Sequence, residues 1–207
     1  MFQFKHLGKL LFISTMVVSF GRAEAQFVSK VLDYLPAPGQ HTNSDFIGTP
    51  SAANSIVGTN KGMVSLGAFG GSVTVYFSQG IQNDQANPYG VDFTIYGNPT
   101  LTWSEPGIIQ VMKDENHNGI PDETWYEIAG SEHFWDSAVY SYEVTYQNNS
   151  QTTASDIHWT DNQGDSGVIP ENSFHQQPYY QKADLFPNVA IDKYSLKGTR
   201  VNAPIDL

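Results

Sequence analysis

Asp114-Glu115-Asn116-His117-Asn118-Gly119-Ile120-Pro121-Asp122-Glu123 is the stretch whose residue types and spacing point to chemistry. Oxygen-bearing side chains stand at its first, third, fifth and ninth positions, and a glycine stands at the sixth. That is the D-x-[DN]-x-[DN]-G half of a calcium loop. Ca²⁺ is a hard cation that takes six to eight oxygens, and alternate side chains of a tightly turned loop point to one centre. The expected ligands are Asp114, Asn116, Asn118, the Ile120 carbonyl and Asp122. The twelfth position, where a bidentate Glu belongs, is Trp125, so Glu123 or Glu127 must replace it, or water. The bland alternative is a solvated acidic turn between two strands, where Asn, Asp, Gly and Pro are expected anyway. A metal here would be structural, because nothing near it in sequence suggests an open catalytic centre.

The elements that would hold this loop are strands. Nowhere do apolar residues recur at helical spacing over a useful length, and Gly and Pro punctuate too often for long helices. Alternating or β-branched runs predict strands at 73–77, 91–96, 107–112, 125–129 and 139–146, with shorter ones at 27–34, 63–66, 157–159 and 194–201. The loop then joins two strands of a hairpin. Stretches 37–62 and 147–192 read as long polar loops, which in a compact domain are functional or disordered. Many short strands separated by turn signals give an all-β fold, a β-sandwich or jelly roll with long polar loops.

Residues 1–25 read as a secretory signal peptide. Lys5 and Lys9 precede a short apolar run, and Ala23-Glu24-Ala25 is a small-residue cleavage site before Gln26. The run is too short to span a bilayer, and residues 26–207 are expected to form one domain. The chain has no Cys, hence neither disulfides nor a lipidated Cys for anchorage. It carries 10 Lys and Arg against 21 Asp and Glu, a net charge of −11. An acidic surface argues against nucleic acid or anionic lipid as partner and suits calcium and neutral or cationic ligands.

Enzyme signatures are missing: no Cys nucleophile, G-x-S-x-G, H-E-x-x-H or P-loop is present. His41, His117, His133, His158 and His175 lie far apart with no metal-ligand spacing, and His117 is expected to point outward from its loop. Asp92 and Glu105 are carboxylates at strand positions, but catalytic separation is spatial and no catalytic residue is assigned. The aromatics are the better lead, since Trp and Tyr rings stack on sugar faces and flat cofactors. Trp103 and Trp125 adjoin strands and read as packing residues. Trp135, Trp159, Tyr179 and Tyr180 lie farther from strand centres and are the candidate ligand contacts.

Four motifs in order carry a resemblance: Ala37-Pro38-Gly39-Gln40, then Ser65-Leu66-Gly67-Ala68-Phe69-Gly70-Gly71-Ser72-Val73-Thr74, then Asp92-Phe93-Thr94-Ile95-Tyr96-Gly97-Asn98, then Glu105-Pro106-Gly107 before Ile108. The series resembles a family of bacterial secreted cell-surface proteins, common in Bacteroidetes, some of which carry PKD-type modules. It covers roughly residues 30–200. The resemblance implies a β-sandwich exposed outside the cell, in the periplasm or at the surface. Members usually continue past the equivalent of Gly198-Thr199-Arg200 with strands that close the sandwich. Here Pro204-Ile205-Asp206-Leu207 follows, so the resemblance implies a shortened member with a sheet edge or face left uncovered. The 108–128 hairpin is more loosely similar to that of discoidin and galactose-binding jelly rolls, which implies ligand binding by loops.

The function expected from these readings is an exported, calcium-stabilised binding module. It would capture a glycan or another small nutrient, a corrinoid among them, for an outer-membrane uptake system. A glycan hydrolase using dispersed carboxylates and a structural or adhesive surface domain are the competing classes.

Overall fold

A computed structural model describes residues 26–99, 101 and 105–202. The expected signal peptide, Trp103, Ser104 and the 203–207 end lie outside the described residues. The fold is all-β and antiparallel, with long polar connections. Its strands are β1 (Lys30–Leu35), β2 (Ser72–Tyr76), β3 (Ile109–Val111), β4 (Tyr126–Ile128), β5 (Val139–Gln147), β6 (Ile157–Asp161), β7 (Ser166–Ile169) and β8 (Lys193–Arg200). They make a β1–β2 ribbon, a β3–β4 ribbon and a four-stranded sheet ordered β7-β6-β5-β8.

The longest strand organises the core. Tyr142, Val144 and Tyr146 alternate along β5 and are buried, as period-2 patterning requires of a strand with one wet face. They pack with Ile157 of β6, Leu196 of β8 and Ala37, Tyr179 and Tyr180 from connecting segments. Phe69 meets Tyr142 edge-on, with ring centres 4.6 Å apart. A smaller cluster of Tyr34, Ala53 and Phe186 lies under β1. Ala53 ends α1 (Pro50–Ala53), a single turn capped by Thr49 Oγ1, which accepts from Ala52 N at 3.1 Å.

Buried hydroxyls tie the strands to the segments that cover them. Tyr146 donates to the Phe69 carbonyl at 2.8 Å, Tyr34 to Ser65 at 2.5 Å and Tyr180 to Ala190 at 2.7 Å. The glycine motif is needed for close approach. Gly67 has φ +72°, and a Cβ on it would lie 1.9 Å from the Ala37 carbonyl oxygen. A Cβ on Gly71 would lie 1.7 Å from that of Leu66. Only glycine lets the 66–71 segment lie against the 37–38 backbone, where Ala37 N donates to Leu66 O at 2.8 Å.

Two expected strands are not formed. Residues 91–96 and 63–66 pair with nothing in the sheets. The first alternates cleanly, yet Ile95 and Tyr96 are mostly exposed, so there is no buried face to fix it. The expected 147–192 loop contains the β6–β7 hairpin.

Candidate functional site

The β3–β4 ribbon forms where the alternation predicts it, with Ile109 opposite Ile128, Gln110 opposite Glu127 and Val111 opposite Tyr126. The 114–123 loop closes its end. Asp114 turns inward: its Oδ1 accepts from Asn118 N at 3.1 Å and its Oδ2 from Gly119 N at 2.9 Å. Asn116 Oδ1 accepts from Asn118 N at 2.9 Å, and Asn118 Oδ1 from Ile120 N at 2.7 Å. Gly119 takes φ +70° at the sharp turn, and His117 takes φ +58° with its side chain exposed. The Ile120 carbonyl accepts from Asp122 N at 3.0 Å, and Asp122 Oδ2 accepts from Asn118 Nδ2 at 3.2 Å.

Of the two carboxylates near the twelfth position, one faces the loop. Glu123 folds back across the loop, and its Oε1 accepts from Glu115 N at 3.1 Å and Asn116 N at 3.2 Å. Its other oxygen, Oε2, is buried without a partner. A buried carboxylate oxygen normally finds a donor or a cation, and leaving it bare is costly. Glu127 points elsewhere, to His133 Nε2 at 3.0 Å. Asp114, Asn116, Asn118, Ile120, Asp122 and Glu123 thus offer the oxygen-only donor set of a hard cation. Among the described residues no three His, Asp or Glu side chains gather as a ready metal cluster. The amide and carbonyl oxygens would have to supply the rest.

The aromatic candidates separate. Trp135 follows the 3₁₀ turn Ser131–Phe134 and is 64% exposed. Trp159 stands on β6 opposite Tyr146, its indole lying over Gly167 of the neighbouring strand. With Ala68, Phe69, Tyr142, Val144, Tyr146 and Ile169 it lines a cleft of about 200 Å³ over the four-stranded sheet. Tyr142, Val144 and Tyr146 are themselves buried and form its floor, with the two hydroxyls bonded to Asp161 and Phe69, so its accessible wall is Ala68, Phe69, Trp159 and Ile169.

Tyr179 and Tyr180 are a correction. They are 1% and 4% exposed, so their rings are core and offer no face to a ligand. Segment 178–181 threads between sheet and covering loops. The Tyr179 hydroxyl accepts from Asn172 N at 2.9 Å, and burial pushes the Tyr180 hydroxyl up to about 12. Polar flanks made the pair look like a loop tip. Trp125, read as a packing residue, is 39% exposed. Asp92 accepts from Asn87 Nδ2 at 2.8 Å in an exposed stretch, a turn contact and not a catalytic one.

Two assemblies have no signature in residue spacing. His41 and His175, 134 positions apart, stand with ring centres 4.4 Å apart at 76°. Asp161, in the β6–β7 turn, accepts from the Tyr142 hydroxyl at 2.8 Å and from Gln163 N and Asp165 N at 2.9 and 2.8 Å. The Arg200 guanidinium lies 4.6 Å from the Tyr142 ring centre. Its own turn and these two side chains, not depth in the core, close Asp161 off from water. That desolvation works to raise the carboxyl pKa. The Tyr142 hydrogen bond, the two backbone donors and the Arg200 charge outweigh it and hold the group below its ordinary value.

No protein-family model matches the chain, and no curated protein matches it either.

Proposed function

We propose that the chain is an exported β-domain of the bacterial surface or periplasm that binds a ring-shaped ligand and is stabilised by calcium. The ligand class is a glycan or comparable nutrient, a corrinoid included, delivered to an outer-membrane uptake system. The observation that carries this reading is the half-buried Trp159 and Phe69 at a hollow over the four-stranded sheet, whose floor is the buried Tyr142 and Tyr146. A hollow of about 200 Å³ is smaller than an ordinary ligand pocket, so a sugar or a corrinoid would lie across it against the Trp159 and Phe69 rings and not inside it. The signal-like start and the four ordered motifs support the location. Among the described residues no helix is long and apolar enough to cross a membrane.

Calcium enters through the 114–123 loop. Asp114 and Glu123 would bring charge, Asn116, Asn118 and Asp122 side-chain oxygens, and Ile120 its carbonyl. A cation there would partner the bare Glu123 Oε2 and fix the β3–β4 register. The ribbon needs this help, because an isolated two-stranded hairpin is at best marginally stable.

A second reading, a structural or adhesive domain, is favoured by the same ribbon. Val111, Tyr126 and Ile128 are partly to mostly exposed on it, a surface suited to protein contact.

A panel of oligosaccharides and cyanocobalamin, screened by tryptophan fluorescence and thermal shift, tests the first reading. Binding by wild type that falls at least tenfold in Trp159→Ala, with a cooperative melt retained, supports it. Loss on Trp135→Ala alone would move the site to that exposed ring. Absence of binding together with concentration-dependent self-association would select the adhesive reading.

A further inference from the structure

We propose that His41 and His175 form a two-imidazole site for a divalent transition-metal ion of the Zn²⁺ class, separate from the oxygen-lined 114–123 loop. Two rings sharing one ion, with metal–nitrogen bonds of about 2.0–2.1 Å and a 90–109° angle between them, sit about 4.5–5 Å apart at their centres. The observed 4.4 Å falls just short of that span, so the rings would part slightly to share an ion. A small ring rotation would open both nitrogens to one centre.

The pair is held from both sides. Asn172 Nδ2 donates to Gln40 Oε1 at 3.1 Å, beside His41 and His175 in sequence. Gln177 Nε2 donates to the Gln40 carbonyl at 2.5 Å. Gly39 N donates to the Tyr179 carbonyl at 3.0 Å, and the Tyr179 hydroxyl to the His175 carbonyl at 3.3 Å. These bonds hold the two segments that carry the imidazoles side by side, which lowers the entropy cost of chelation.

The chemistry suits a borderline metal. Imidazole is a preferred ligand of Zn²⁺, Ni²⁺ and Cu²⁺ and a poor one of Ca²⁺. Ligation needs the neutral ring. Both side chains are half-buried and so reachable from solvent. The chain's net charge of −11 draws cations toward it. With two protein ligands, water fills the remaining positions. That makes an open, exchangeable site, not a closed structural one.

Calorimetric titration of the chelator-stripped protein with ZnCl₂ tests this, with calcium present to saturate the other loop. One Zn²⁺ should bind per chain, at least tenfold more weakly in His41→Ala and in His175→Ala and unchanged in His117→Ala. A variant could lose its loop, so the second measurement uses wild type. Diethylpyrocarbonate labelling read by mass spectrometry should show His41 and His175 protected by Zn²⁺ while His117 and His158 stay reactive. Absence of Zn²⁺ binding, binding that survives both substitutions, or labelling of His41 and His175 unaffected by Zn²⁺ would overturn the assignment.

Discussion

The Tyr142 hydroxyl donates to Asp161 Oδ2 across 2.8 Å, joining the middle of the longest strand to the turn that ends β6. The carboxylate it meets is closed off from water and charged, and its folded pKa is depressed. A depressed acid stabilises the fold above its unfolded pKa, about 3.9, and that contribution is lost as pH falls through the lower folded value. Denaturant midpoints of wild type should therefore drop steeply below about pH 4, whereas Asp161→Asn should start lower and change less. Parallel curves for the two proteins would exclude this role.

Calcium should raise the melting midpoint of the protein, and a chelator should reverse the shift. At a free concentration about 100 times its Kd, a ligand of the folded state adds about 2.7 kcal/mol. Glu123→Gln should remove most of the shift while leaving the calcium-free midpoint little changed. Asp114→Ala should remove it and also lower the calcium-free midpoint, since Asp114 accepts from Asn118 N and Gly119 N without any metal. Glu127→Gln should keep it, because that carboxylate faces His133. A full calcium shift in Glu123→Gln would return the tenth position to an acidic turn.

Asn43 separates hydrogen bonding from backbone conformation. Its φ is +64°, its Nδ2 donates to the carbonyls of Pro178 and Tyr180, and its Oδ1 accepts from Lys182 N. Asn43→Gly should cost about 1–3 kcal/mol through the lost buried bonds, and Asn43→Ala about 1–2 kcal/mol more for the left-handed backbone. Asn43→Asp should be worse than Gly, since it sets a carboxylate against two carbonyls. Chemical denaturation orders the three.

Gly71→Ala should prevent folding or cost more than about 3 kcal/mol, because the new methyl meets backbone and not a yielding side chain. Gly167→Ala meets the Trp159 indole, with the nearest ring atom 2.5 Å away. The ring can move, so the expected result is a shifted tryptophan emission and a cost of about 1–3 kcal/mol. An unshifted spectrum would mean that the indole does not lie over Gly167.

Strand positions were legible where apolar residues alternate and a buried face exists. Tyr142, Val144 and Tyr146 announce β5, and the same rule found β2 and β8; β3 and β4 alternate and pair with each other although their faces are largely exposed. It failed at 91–96, where Val91, Phe93 and Ile95 alternate as well but face no core. The inward turn of Asp114 and the left-handed Gly119 follow the local spacing, because a loop built from one segment writes its geometry into sequence. Which of Glu123 and Glu127 folds back over the loop is not written in the spacing; Glu123 does so and Glu127 faces His133. His41 and His175 were read as unrelated, since nothing local encodes a meeting across 134 positions. Tyr179 and Tyr180 misled for the opposite reason: their local setting is polar, and their burial comes from distant partners.

The segments around Asn43 and Tyr180 are tied to each other through Nδ2–carbonyl bonds spanning up to 137 positions. Gln181 reaches back to Pro36 across 145. Such closures are slow to find, since loop entropy must be met before any contact rewards it. The β6–β7 hairpin can form early and locally. The core cannot close until the last quarter of the chain is available to plug it. A ribosome-tethered or threaded intermediate ending before residue 178 therefore has strands but no lock. Closure of this core waits on the segment from residue 178 onward.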